Sequence, residues 1–265
     1  MFSVNGVVFV LALDKEQLGH SIRSVYGQGM DSVGYLRRFI DFEYQLNAPE
    51  LKTYTNSLFR KLKLSEFLGS REKNRGWKNE ETFFKAAFGL LASSRQPQLT
   101  LREVEQFLQS INIIVRTAED NKPLHPALLV FLVLCKFFKP DAYGRYISEG
   151  GDESELIDYL HEIVPEKIRN GNNQDSLDCA MVEGSLIAAK RDGYSINGNA
   201  DDSASLHKRR SQINNSNLEQ GVRQYLQKVI HYADNSNPSC PGTTVSFINL
   251  AQLSHRIEWV GRFQF

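Results

Sequence analysis

The chain has 265 residues, 41% hydrophobic and 23% charged, and its 31 basic residues balance 31 acidic ones. That composition suits a globular protein able to bury a sizeable core, and the zero net charge removes the global argument for a nucleic-acid or anionic-lipid partner. Cys135, Cys179 and Cys240 are odd in number, far apart and match no metal-ligand spacing, which suits a reducing cytoplasm.

Met1–Leu13 is apolar but lacks a basic leader region, and Asp14-Lys15-Glu16 stand where a signal peptide would carry a small-residue cleavage site. The apolar run Ala127–Cys135 has nine residues, far below the roughly 20 that a bilayer span needs. No membrane span is expected.

Val7-Val8-Phe9-Val10-Leu11-Ala12-Leu13 reads as a buried strand, because a continuous β-branched run suits a strand covered on both faces. Such a strand needs neighbours, and little that follows reads as a parallel partner. Residues 15–28 then have Leu18, Ile22 and Val25 at helical spacing, closed by Gly27 and Gly29. Tyr35–Ile40 continues as a short helix or turn. Phe39, Phe42, Tyr44 and Leu46 suggest a second short strand, stopped by Asn47-Ala48-Pro49.

Helices are expected over 50–68, with a loop at 69–77, and over 80–92, where Phe83, Phe84 and Phe88 point to core. Thr100 and Glu103 form a capping box ahead of a helix over 101–113. Pro126 opens a helix over 126–138 that is apolar on nearly all sides and so central, with Phe131, Phe137 and Phe138 in the core and Pro140 ending it. A further helix covers 153–161. From about 165 the sequence turns rich in Asn, Asp, Ser and Gly, with interrupted helices at 176–190 and 216–231. The runs 245–250 and 259–265 are apolar enough to need a covering surface. Lys208-Arg209-Arg210 reads as a solvated basic loop, with single nucleic-acid contact as the competing reading.

No Gly-x-x-x-x-Gly-Lys-Ser/Thr phosphate loop, Gly-x-Gly-x-x-Gly, His-Glu-x-x-His or Gly-x-Ser-x-Gly occurs, and the six histidines are scattered. No strand ending in paired acids supplies a magnesium site. The sequence therefore holds no self-contained catalytic constellation.

Its first block nevertheless has a recognisable layout. Val7–Leu13 followed by Asp14-Lys15-Glu16-Gln17-Leu18, then Tyr35-Leu36-Arg37-Arg38-Phe39-Ile40-Asp41 and Phe42-Glu43-Tyr44-Gln45-Leu46, resembles the KAP family of P-loop NTPases. In that family a late core strand ends in Asp followed by Lys or Arg, Glu and Gln; a Tyr-Leu segment and a strand ending Leu-Pro follow. Here Asn47 replaces that Pro. Leu99–Leu108 resembles, less specifically, the start of the family's helical lid, and the likeness covers roughly residues 3–145.

The resemblance implies a mixed α/β fold, mainly helical: the terminal strands of a P-loop sheet over 1–48, a lid-like helical domain over 49–164, and a polar, partly disordered C-terminal region over 165–265. It implies the carboxyl-terminal part of an NTPase whose phosphate loop and magnesium-binding acids lie upstream, with ATP and magnesium used by the intact protein and neither bound strongly by this chain alone. Asp14 would sense the γ-phosphate or orient water at the end of a core strand, although it equally suits the cap of the helix beginning at Lys15. Arg37 and Arg38 stand where related ATPases carry an arginine finger, and Arg102 where a lid arginine meets nucleotide; all three also read as solvated surface residues. Some members of the family are associated with phage defence. The implied partner is the missing N-terminal NTPase half or another protein, with self-association left open. The competing reading is a non-catalytic interaction protein whose helices bind a partner and whose first strand is completed by that partner's sheet.

Overall fold

The chain, described here from a computed structural model, divides into two compact units, Met1–Ala48 and Pro49–Phe265. The structure describes residues 8, 10–40, 42–44, 49–75, 80–95, 98–118, 124–148, 152–192, 204–213, 219–234 and 250–260. The apolar runs at 245–250 and 259–265 lie almost wholly outside them, as does Cys240.

The mixed α/β expectation is overturned. Among the described residues there are fourteen helices and no strand. The described residues of the segment read as a buried strand, 8 and 10–13, are neither strand nor buried: Val8 is 87% exposed, Val10 89% and Leu11 68%. Phe42 and Tyr44, read as the second strand, are likewise exposed. A strand exists only through a neighbour's hydrogen bonds, and the described residues offer these apolar runs none. Periodicity recorded their composition correctly and their partner wrongly.

In the first unit, α1 (Lys15–Tyr26) packs against α2 (Ser32–Leu36). Gly19 and Ser32 let the two backbones approach: a Cβ on Gly19 would lie 3.1 Å from Ser32 Oγ. Ile22 and Leu36 are buried, and Arg23 Nη1 donates to Ser32 Oγ at 3.1 Å. Gly27 ends α1 at φ 99°, a conformation that a Cβ disfavours.

The second unit begins with α3 (Leu51–Lys61) and α4 (Leu64–Arg75), joined at Lys63 with φ 52°. Arg116 Nη2 donates to Leu62 O at 2.9 Å, satisfying a terminal carbonyl of α3. The stretch 69–77, expected as loop, is helical through Arg75. There Arg71 Nε meets Glu80 Oε2 at 2.9 Å in a buried ion pair, and Glu80 Oε1 also accepts from Leu124 N at 3.1 Å. Glu80 opens α5 (Glu80–Ser94). The capping box holds: Glu103 N donates to Thr100 Oγ1 at 3.2 Å and Thr100 N to Glu103 Oε2 at 2.7 Å, starting α6 (Leu101–Thr117).

The central helix is α7 (Pro126–Phe138), in which Ala127 through Cys135 are all buried. It packs on α5, α6 and α11 (Gln174–Asp192). Phe137 was expected in the core but is 53% exposed, whereas the neighbouring Phe138 packs against the core. Pro140 does more than stop α7: it is the first residue of α8 (Pro140–Ile147), where its missing N–H costs nothing. Next come α9 (Ser154–Ile163) and α10 (Glu166–Arg169).

The described part of the polar segment is helical and packed. α11 joins α5, α7 and α9 and pairs along its length with α13 (Gln220–Asp234). Lys228 of α13 reaches Ser176 Oγ at 3.1 Å and Gly171 O at 3.2 Å. α12 (Ala204–Ile213) packs on α13, and α14 (Leu250–Val260) lies against α6, α7 and α8, held in part by Lys136 Nζ donating to Ile257 O at 2.7 Å. Among the described residues no helix is long and apolar enough to cross a membrane.

Candidate functional site

Asp14 sits at the head of α1. Its Oδ1 accepts from Glu16 N and Gln17 N, both at 3.0 Å, and its backbone oxygen accepts from Leu18 N at 2.9 Å. This is the geometry of an N-cap, with the carboxylate at the positive end of the helix dipole. Lys15 beside it pairs with Glu43 at 2.6 Å, which brings the start of α1 next to the segment around Phe42.

Arg37 and Arg38 form the turn that closes α2. Arg37 N donates to Val33 O at 3.1 Å and Arg38 N to Tyr35 O at 3.2 Å, while both side chains are exposed. Tyr35 lies between Tyr26 and Phe39, with ring centroids 5.7 and 5.2 Å away. A hydrogen bond with Tyr26 raises the Tyr35 phenol, and the Arg38 charge opposes that rise. Arg102 is exposed on the first turn of α6. The four sequence-selected residues therefore divide between the units: Asp14, Arg37 and Arg38 in the first, Arg102 in the second.

The residues do not fit a magnesium site. Among the described residues no group of three or more His, Cys, Asp or Glu could hold a metal ion. One oxygen of the Asp14 carboxylate, Oδ1, is engaged by two backbone amides. No step through magnesium is derived for this chain.

The most developed polar centre lies elsewhere, in the second unit. Glu183, in the middle of α11, is fully buried. Its Oε1 accepts from Arg209 Nε of α12 at 2.8 Å and from Arg209 Nη2. Its Oε2 accepts from Tyr225 Oη of α13 at 2.6 Å and meets His161 Nε2 of α9 at 2.8 Å. Burial pushes the Glu183 carboxyl up, but the His161 hydrogen bond, the Arg209 charge and the Tyr225 hydroxyl outweigh it and hold the group at about 2. Arg209 belongs to the triplet expected as a solvated loop; it is instead helical and inserted, with its side chain 11% exposed.

This arrangement fixes proton positions. An ionised carboxylate only accepts, so His161 Nε2 carries a hydrogen and Tyr225 donates its single one to Glu183. Cys179 Sγ, 3.3 Å from Tyr225 Oη, must then donate to that oxygen. Burial, assisted by the Glu183 charge, pushes the thiol up to about 12. Cys179 is a donor in a hydrogen-bonded chain, and a thiol so poorly ionised is a poor nucleophile. The sequence reading missed the cluster. Its one signal was a lone acid in the run Cys179–Ala189, four residues after Cys179 on the same helical face.

Comparison with known proteins bears on the other end of the chain. Residues 1–118 match the model of the KAP family P-loop domain. The match takes in Asp14, Arg37, Arg38 and Arg102 and spans less than half of the 265 residues, all in the N-terminal part. Intact proteins of that class use nucleotide and magnesium. No curated protein and no solved structure matches the chain.

Proposed function

We propose that this chain is the carboxyl-terminal part of an ATP-hydrolysing P-loop NTPase of KAP type, active only when joined to polypeptide that carries the phosphate loop. The match over residues 1–118 supports the reading most directly. In it, Asp14 senses the γ-phosphate or orients the attacking water, Arg37 and Arg38 act on the transferring phosphoryl group, and Arg102 is the nucleotide-contacting arginine of a lid-like helical region over 49–164. Exposed guanidiniums suit a role in which nucleotide arrives later and supplies the counter-charge. Alone, the chain lacks the phosphate cradle on which charge stabilisation depends, so ATP hydrolysis by the isolated 265 residues is not expected.

The test is made on the native product, recovered from its own cell with antibody against residues 150–265. Magnesium-dependent ATP hydrolysis that falls about 100-fold or more in Arg37→Ala, Arg38→Ala or Arg102→Ala supports the reading. A native product with no ATPase activity, or one indifferent to all three substitutions, overturns it. Its mass shows whether the phosphate loop is on the same polypeptide (well above 30.2 kDa) or supplied in trans.

A second reading, a non-catalytic interaction protein, draws on a different observation. Val8, Val10, Leu11, Phe42 and Tyr44 are between 68% and 89% exposed, an apolar surface that water does not favour. A purified chain that is monodisperse and melts cooperatively, with no ATPase in its native complex, supports this reading over the first.

A further inference from the structure

We propose that the second unit carries two complementary helix faces, basic on α3 and acidic on α9, and that the acidic face of one copy of this chain docks on the basic face of another. α3 has Lys52, Arg60 and Lys61 and no acid, and Lys63 follows it; all four side chains are exposed. α9 has Glu155, Asp158 and Glu162 and no lysine or arginine, and all three acids are exposed. Their spacing of three and four residues sets the acids in one stripe. At 1.5 Å per residue, Lys52 to Arg60 spans about 12 Å and Glu155 to Glu162 about 10 Å. The faces match in length and oppose in sign.

These charges do not serve their own helices. Lys52 stands in the first turn of α3, at the positive end of the helix dipole, and Glu162 in the last turn of α9, at the negative end. Glu155 with Asp158, and Asp158 with Glu162, are like-charged neighbours, which weakens a helix on its own. Other helices offset this in part: Glu105 pairs with Lys61 at 3.0 Å, Arg145 with Glu155, and Lys139 with Glu162 at 3.7 Å. Exposed pairs of this kind hold weakly and are screened by salt. Among the described residues no ion pair takes up Lys52, Arg60, Lys63 or Asp158.

α3 packs mainly on α4, α5 and α6, and α9 on α8 and α11. Both faces are exposed, so neither covers the other within one chain. A second copy is the occupant because this one sequence supplies both halves of the contact. Opposite charge steers the encounter and selects which face meets which. The contact joins unlike faces, so each pair of chains keeps one free face of each sign, and assembly continues past the dimer unless a ring closes.

Sedimentation of the full chain tests this. At about 50 mM salt the mean mass is expected to rise with concentration above the 30.2 kDa of one chain, and the apparent Kd to increase at least about tenfold by about 300 mM. The double variants Lys52→Glu/Arg60→Glu and Asp158→Lys/Glu162→Lys should each lose at least about tenfold in self-association. Mixed in equal amounts, they retain one intact pair of faces and should associate again, stopping at two chains. A wild-type chain that stays monomeric at about 50 mM salt overturns the proposal, and that measurement needs no variant to fold. Association that salt leaves unchanged or strengthens also overturns it, since apolar contact behaves that way. So does a mixture of the two folded variants that stays monomeric. A monomeric wild-type chain that binds heparin, with binding lost in Lys52→Glu/Arg60→Glu, replaces the second copy with a polyanion.

Discussion

Tyr225 gives its only hydroxyl hydrogen to Glu183 at 2.6 Å, and the thiol of Cys179, 3.3 Å from the same oxygen, is thereby made the donor at the far end of the chain. One carboxylate on α11 thus orders groups from α9, α12 and α13. Glu183→Gln keeps the shape but removes the charge that Arg209 was desolvated to meet. The expected cost is about 3–5 kcal/mol of unfolding free energy, read by urea denaturation. Tyr225→Phe removes one hydrogen bond and leaves the ion pair, for an expected cost of about 1–3 kcal/mol. Equal stability of Glu183→Gln and the wild-type chain would remove Glu183 from the account of what holds these helices.

Acid should weaken the second unit in two separable windows. Burial pushes the His125 imidazole down from 6.5 to about 4, so the folded chain holds it neutral while the unfolded chain protonates it. Its contribution is intact above pH 6.5 and is lost as pH falls through about 4. Glu183 is held at about 2 against an ordinary 4.5, so its contribution is intact above 4.5 and lost as pH falls toward 2. In both cases the unfolded state binds more protons, and stability rises with pH. For Glu183 the gap corresponds to about 3 kcal/mol at roughly 1.4 kcal/mol per pH unit. Unfolding free energies measured from pH 7 to pH 2 should show a shallower upper window in His125→Asn and a shallower lower one in Glu183→Gln. A wild-type profile flat across both windows contradicts the assignment.

Two phenylalanines on α7 separate burial from pattern. Phe131 is fully buried and faces Tyr159 with centroids 6.3 Å apart, whereas Phe137 is 53% exposed. Phe131→Ala should cost about 3–5 kcal/mol and Phe137→Ala about 1 kcal/mol or less. Thermal melts of both variants decide it. Similar losses would place Phe137 in a core that the structure does not give it.

These residues also show what the sequence made legible. Helix positions follow from local rules: Thr100 and Glu103 start α6, Pro126 starts α7, and the apolar run Ala127–Cys135 fixes which helix is central. The segment before Asp14 was misread because a strand is a relation between segments. Val8 and Val10 have the right side chains for a strand and, among the described residues, no partner. Glu183 was overlooked for a related reason. Its partners His161, Arg209 and Tyr225 lie 22, 26 and 42 residues away, beyond the reach of any local spacing rule. Asp14 was legible in both of its readings, and only the cap has geometry within the chain.

Those two readings of Asp14 make different demands on the side chain. A cap needs an oxygen that accepts from Glu16 N and Gln17 N, and serine can supply it. Acting on a phosphoryl group or its attacking water needs a carboxylate of the right reach and charge. Asp14→Ala should therefore destabilise α1 by about 1 kcal/mol, seen as faster amide exchange over residues 15–18, and Asp14→Ser should restore most of that protection. If the native complex hydrolyses ATP and Asp14 takes part, Asp14→Ser recovers the helix but not the rate. Recovery of both by serine would make capping the whole of its role.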